Sequence, residues 1–124
     1  MTYKNEAHQR IYRSFVAFSP FKYSRRFLAA AYLLSAEKEL WFRARKAMNG
    51  KQLQFDKIDR TGLSEYAYIL LRAARDLYED THHISLADLG DPYLFSDKTC
   101  LLFVEAIGVC REGYGYIGIS RKFN

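Results

Sequence analysis

Apolar residues recur along this chain mostly at intervals of three and four, the period of an α-helix. Ala7, Ile11, Phe15 and Phe18 mark one face of a first helix over about residues 4–18. Pro20, inside SPFKYS, interrupts it. Ser24 is placed to cap a second helix, SRRFLAAAYLLS, with Phe27, Ala31 and Leu34 facing inward. Its alanine-rich middle favours helix and lets another element come close. Ser35 is the next break and a cap for AEKELWFRARKAM, where Ala36, Leu40, Ala44 and Met48 recur every fourth residue beside Trp41. Glu39 stands four before Arg43, the favourable order for a surface pair, and Asn49-Gly50 ends the helix.

KQLQFDKI then alternates Leu53 and Phe55 with polar residues, the mark of a short strand or an extended connector near 51–58, and DRTG at 59–62 is a turn. The strongest helix, 64–80, carries a wide stripe of Leu63, Ala67, Leu70, Leu71, Ala74, Leu77 and Tyr78. Its outer face holds two i,i+4 pairs, Arg72–Asp76 and Arg75–Glu79. Ser85 with Asp88 three later predicts a capping box on a short helix that Gly90 closes, and Pro92 marks the next break. The last helix starts at Ser96 or Asp97, turns Cys100, Phe103, Val104 and Ile107 inward with Glu105 beside them, and ends at Gly113. Gly108 gives a neighbouring element room to approach. Glycines 113, 115 and 118 then resist helix, so the tail is expected to be extended, with Tyr114 and Tyr116 packed on the helices or added to a partner's sheet. The pattern predicts an all-α, compact bundle of five or six helices in one helical domain, 1–124, with an extended Gly/aromatic C-terminal tail and a minor strand near 51–58.

Composition supports a core of real size. Hydrophobic residues make up 49% of the 124, including nine Phe and ten Tyr. The longest apolar stretch, FLAAAYLL, is well short of the roughly eighteen residues that cross a bilayer, so no membrane span is expected. The N-terminus has no apolar segment of the kind that directs secretion. Cys100 and Cys110, on one helix, would be about 15 Å apart, too far for a disulfide that needs Cα atoms within about 7 Å. Reduced cysteines fit a cytoplasmic protein. The net charge of +5 is unevenly spread: residues 1–62 hold 13 Lys/Arg against 5 Asp/Glu, and residues 63–124 hold 6 against 9. A basic half can face nucleic acid, an acidic protein, or the chain's own acidic half within the fold or across a homodimer.

Little in the chain points to reaction chemistry. YEDTHHISLADLG places His82 and His83 beside acids, but adjacent side chains do not converge on one metal, and Glu79 with His83 is the one i,i+4 pair. The two histidines are read as the boundary between helices. Gly113, Gly115 and Gly118 match a bare Gly-x-Gly-x-x-Gly, yet they follow a helix and no helix follows them, which is the wrong setting for a phosphate loop. Glu105 alone is a candidate for a tuned buried carboxylate. No catalytic residue, metal ligand or cofactor is assigned, and an enzyme is not expected.

RFLAAAYLLSAEKELWFRARK and LSEYAYILLRAARDLYED…ISLADLGDPYLFSDKTCLLFVEAI, taken together, resemble a family of small uncharacterised proteins of bacterial and phage or mobile-element genomes, over about residues 24–110. The resemblance implies a context in which small accessory proteins bind host machinery, and transfers no activity. The first expectation is therefore a non-enzymatic interaction protein that binds a host defence complex, such as a CRISPR effector, another host nuclease or a ribonucleoprotein. The expected partner-binding residues are Arg25, Arg26, Lys38, Arg45, Lys46 and Lys51, with Tyr114, Tyr116 and Phe123 from the tail. The alternative is direct nucleic-acid binding, because YRSF, FKYSRRF and LWFRARK interleave cations with rings.

Overall fold

A computed structural model describes residues 1–119 of the chain. Its elements are α1 (Glu6–Ala17), α2 (Arg25–Leu34), α3 (Lys38–Lys46), β1 (Met48–Asn49), β2 (Gln52–Leu53), a 3₁₀ turn (Phe55–Lys57), α4 (Glu65–Glu79), α5 (Leu86–Leu89), α6 (Asp97–Glu112) and α7 (Tyr114–Ile117). The mostly helical bundle is the expected class. The strand near 51–58 is a two-residue hairpin arm, with Met48 opposite Leu53 and Asn49 opposite Gln52.

The arrangement follows from α2. A helix that is apolar all round has no side to give to water, so other elements must surround it. Every residue from Phe27 to Leu34 is buried, not the expected single face of Phe27, Ala31 and Leu34. α4 and α6 pack along it most extensively, and α1 and α3 cover the remaining sides. The small side chains of Ala29, Ala30 and Ala31 let those neighbours close in. Ser24, Ser64 and Ser96 accept hydrogen bonds from the backbone N–H groups three residues on, so Ser24 caps α2 as expected and Ser96, not Asp97, caps α6.

Complete burial creates a problem at the helix's end. The last carbonyls of any helix lack partners within it, and here water cannot supply them. Tyr32 O instead accepts from His8 Nε2 at 2.7 Å and from Ser35 Oγ at 3.1 Å. Ser35 is thus the C-cap of α2, and Glu37, not Ser35, caps α3 through the N–H groups of Glu39 and Leu40. His8 Nδ1 accepts the Lys4 N–H at 3.0 Å, which fixes the neutral tautomer with its proton on Nε2. Tyr12 Oη donates to Leu28 O at 2.8 Å. These bonds set the rotation of α1. His8, Tyr12 and Val16 are its buried line, while Ala7, Ile11 and Phe15 are only half-buried and Phe18 is 86% exposed.

Two other expectations are corrected. In α6 the inner face is Thr99, Leu102, Phe103, Glu105, Ala106 and Val109; Val104 and Ile107 point outward. Four consecutive apolar residues, Leu101 to Val104, leave the apolar pattern without a preferred face there. Glu105 decides it, because its carboxylate is buried against two donors, the Thr2 N–H and the Tyr116 hydroxyl, the latter at 2.7 Å. The tail forms one helical turn at Tyr114–Ile117 where extended chain was expected. Gly113, at φ 66°, allows the reversal, and the Tyr116 ring lies so close to Gly108 that a Cβ there would fall 2.4 Å from it. Gly108 therefore lets another helix approach, as expected, and that helix is α7 with its Tyr116 ring. Asn49-Gly50 opens the hairpin turn, with Gly50 at φ 62°, and α3 has already ended at Ala47.

Burial pushes the His8 imidazole down to about 4; the bond to Tyr32 O opposes this and the nearby Lys4 charge adds to it. An unfolded chain binds that proton near pH 6.5, so between pH about 6.5 and 4 the unfolded state holds a proton that the folded state lacks. Stability contributed at His8 is complete above that window and falls as pH drops through it, by at most about 3 kcal/mol. Urea unfolding of the native chain and of His8→Gln at pH 7, 5.5 and 4 checks this. The native chain should lose ground to the variant as pH falls, and a difference that does not vary with pH would contradict a buried neutral His8.

Candidate functional site

α1 stops at Ala17, and Phe18 closes it with its N–H on Ser14 O. Pro20 then prevents any continuation of the helix, so the chain turns across the end of α3. The result is a groove of about 550 Å³ between α1, residues 18–23, α3 and the hairpin. Phe15, Phe18, Phe21, Tyr23, Trp41 and Arg45 give it its chemistry.

Ring stacking makes the floor rigid. Phe27, in the core, stacks on Tyr23 with centroids 4.2 Å apart and 5° between planes. Tyr23 stacks on Phe15 at 5.3 Å, and Phe15 meets Trp41 edge-on at 5.0 Å. The Arg45 guanidinium lies over Phe15 at 4.9 Å and over Trp41 at 5.7 Å. Beside it, Lys46 Nζ sits 4.2 Å from the ring centre of Phe42, which is 57% exposed. Among the described residues no lining residue is a carboxylate, and neither Arg45 nor Lys46 has an acid within 4.0 Å. A cation over an aromatic face is held electrostatically while keeping its charge for a ligand.

The residues expected to bind a partner fall into two groups. Arg25, Tyr114 and Tyr116 bond within the fold: Arg25, itself exposed, donates from Nη1 to Arg111 O at the end of α6 at 2.8 Å, Tyr114 Oη accepts the Tyr23 N–H at 2.8 Å, and Tyr116 donates to Glu105. Tyr114 and Tyr116, together with Arg13, which donates to Ile117 O at 2.8 Å, fasten α7 to the bundle. Arg26, Lys38, Arg45, Lys46 and Lys51 are exposed. The structure brings Arg45 to the groove; Lys46 lies over the exposed Phe42 ring and is not among the groove's lining residues, and Lys51 is in the hairpin turn beside groove-lining Gly50. Lys38 borders a separate cleft with Lys4 and Glu37, and Arg26 is not among the groove's lining residues. Phe123 lies outside the described residues. Sequence reasoning missed Phe18 and Phe21 as groove walls, although a phenylalanine on each side of Ser19-Pro20 was a usable signal.

The histidine pair does mark a helix boundary. Asp76 turns away from its expected partner Arg72 and accepts from Thr81 Oγ1, His83 N, His83 Nδ1 and Ile84 N at 2.6 to 2.9 Å. Burial alone pushes this carboxyl up, but the bonds from Thr81, His83 and Ile84 outweigh it and hold it below its usual range. Asp80, at φ 59°, supplies the left-handed residue that ends α4, and the Ser85–Asp88 capping box starts α5. Glu79 bonds Arg75, not His83. Among the described residues no three His, Cys, Asp or Glu side chains gather to hold a metal ion. Cys100 and Cys110 are both free thiols on α6.

If Phe18 serves the surface and Trp41 the scaffold, their truncations should separate. Phe18→Ser should change unfolding free energy by less than about 0.5 kcal/mol, and Trp41→Ala should cost about 3 kcal/mol or more. Denaturant titration of the two variants checks this, and a large loss in Phe18→Ser would place that ring in the core. No protein-family model, curated protein or solved structure matches the chain.

Proposed function

We propose that the protein is a non-enzymatic binding module whose α1–α3 groove receives an acidic, apolar segment of a protein partner. One observation carries this: an 86% exposed Phe18 lines the same groove as a floor of packed rings and as Arg45, which lacks an acidic neighbour among the described residues. Aromatic residues and arginine supply most of the binding energy at protein interfaces, and uncompensated cations steer an acidic partner into place. The resemblance to proteins of phage and mobile elements suggests the partner's identity, a cytoplasmic host defence complex such as a CRISPR effector or another nuclease. Among the described residues no helix is long and apolar enough to cross a membrane.

The second reading, nucleic-acid binding, draws on the same cation-over-ring pairs, which can grip phosphates and stack bases. A second surface favours a protein. Leu101, Val104 and Ile107 lie along the outer side of α6, 42% to 53% exposed, and Leu86 of α5 is 85% exposed and lines one apolar groove with Ile107. Apolar ridges of this kind suit protein contacts and offer nothing to a phosphate backbone.

Tagged native chain, Phe18→Ser and Arg45→Glu, each incubated with host lysate with and without nuclease treatment, test the reading. The native chain should retain a defined protein that survives nuclease, and either substitution should weaken that capture about tenfold or more. Capture that both variants retain in full would remove the groove from the interface, and capture abolished by nuclease would replace the protein reading with the nucleic-acid one.

A further inference from the structure

A second cluster of cations lies on α4, far along the sequence from the groove. Tyr68, Leu71, Arg72 and Arg75 project from one side of this helix. Arg60, from the loop before α4, and His83, from the turn after it, close over them. These six residues enclose a cleft of about 60 Å³. Pockets for drug-sized ligands run to several hundred Å³, so this one takes a small group and excludes a base or a sugar ring.

Most of the charge around the cleft is already paired, which makes the remainder informative. Arg75 bridges Glu79 at 2.8 Å and Asp56 at 2.9 Å. The oxygens of Asp76 are taken up by Thr81, His83 and Ile84. Arg72 lies over the Tyr68 ring at 5.2 Å, and among the described residues neither it nor Arg60 has a carboxylate within 4.0 Å. Two guanidiniums without acids thus line one small cavity. The bond from His83 Nδ1 to Asp76, 2.8 Å, fixes the imidazole and leaves Nε2 as its second polar atom. The Tyr68 ring, under Arg72, completes the lining.

We propose that this cleft binds a phosphate dianion, held by Arg60 and Arg72 with His83 and Tyr68 at its edge. Guanidinium groups offer paired donors in the geometry that phosphate oxygens accept. Two guanidiniums without an ion-pair partner among the described residues offer more donors than the two oxygens of a carboxylate accept, and suit the three or four oxygens of a phosphate. The same chemistry serves inorganic phosphate and the phosphoryl group of a small ester. The site uses none of the groove residues and stands whether or not the groove binds a protein.

The test is an NMR titration of the full chain at constant ionic strength, following the His83 ring and arginine Nε resonances. Inorganic phosphate and glycerol phosphate are the probes, and acetate is the monoanion control. At least one phosphate should saturate the site with Kd below about 1 mM, and Arg72→Gln and Arg60→Gln should each weaken it about tenfold or more. Both substituted positions are at the surface, and an unchanged amide spectrum outside the cleft shows that each variant is folded. Tighter binding of the ester identifies it as the natural class of ligand, and equal or tighter binding of inorganic phosphate identifies the free anion; both support the site. Failure to saturate with either phosphate, an equal response to acetate, or native affinity in both variants overturns it.

Discussion

A helix surrounded by protein on every side must find partners for its last carbonyls without water, and α2 is such a helix. The solution here uses α1. His8 donates to Tyr32 O and Ser35 adds a second donor there, while Tyr12 adds a bond to the mid-helix carbonyl of Leu28. An unsatisfied buried carbonyl costs about 1–3 kcal/mol, so the bond from His8 to Tyr32 O fixes the orientation of α1 along with its apolar residues. The N-terminal segment joins the same network. Thr2 gives its N–H to Glu105 of α6 and accepts the hydroxyl of Tyr32, while Tyr3 packs edge-on against His8 and Tyr32. Burial accordingly pushes the Tyr32 hydroxyl well above its ordinary range, with the Glu105 charge adding to the effect.

The rotation of α1 has a consequence at the surface. With His8, Tyr12 and Val16 turned inward, Phe15 reaches only the edge of the core and Phe18 faces solvent. The ring stack from Phe27 through Tyr23 and Phe15 to Trp41 then connects the most buried helix to the groove floor. A binding surface built on such a stack loses little conformational freedom when occupied, which favours affinity. Arg13, Tyr114 and Tyr116, which look in sequence like a free cation and a loose aromatic tail, fasten α7 instead, and Arg25 bonds the end of α6.

Much of this fold is legible in the sequence, for physical reasons that also mark where legibility ends. Ser24 and Ser85 are read correctly as caps, and Ser96 is one of the two residues offered for α6, because capping depends on a few adjacent residues. The stripe on α4 is read correctly because its apolar residues have one helical period. The faces of α1 and α6 are misread because buried polar groups, His8, Tyr12 and Glu105, outrank nearby Phe18, Val104 and Ile107. Their burial depends on partners distant in sequence: Tyr32 and Leu28 for α1, Thr2 and Tyr116 for Glu105. The groove's cation, Arg45, was visible in a basic run, but its aromatic wall needed the chain reversal at Pro20. The cleft between Arg60, Arg72 and His83 gathers residues from three separate segments, which no local pattern reports.

The dependence of the whole on α2 can be measured by amide hydrogen exchange followed residue by residue in the native chain. With α2 enclosed by four helices and its end closed by His8 and Ser35, the amides of Leu28 to Ser35 should exchange only through global unfolding, with protection equal to the full unfolding free energy. Exchange of those amides through a partial opening, while α4 and α6 stay protected, would show that α2 is not the element on which the others are built.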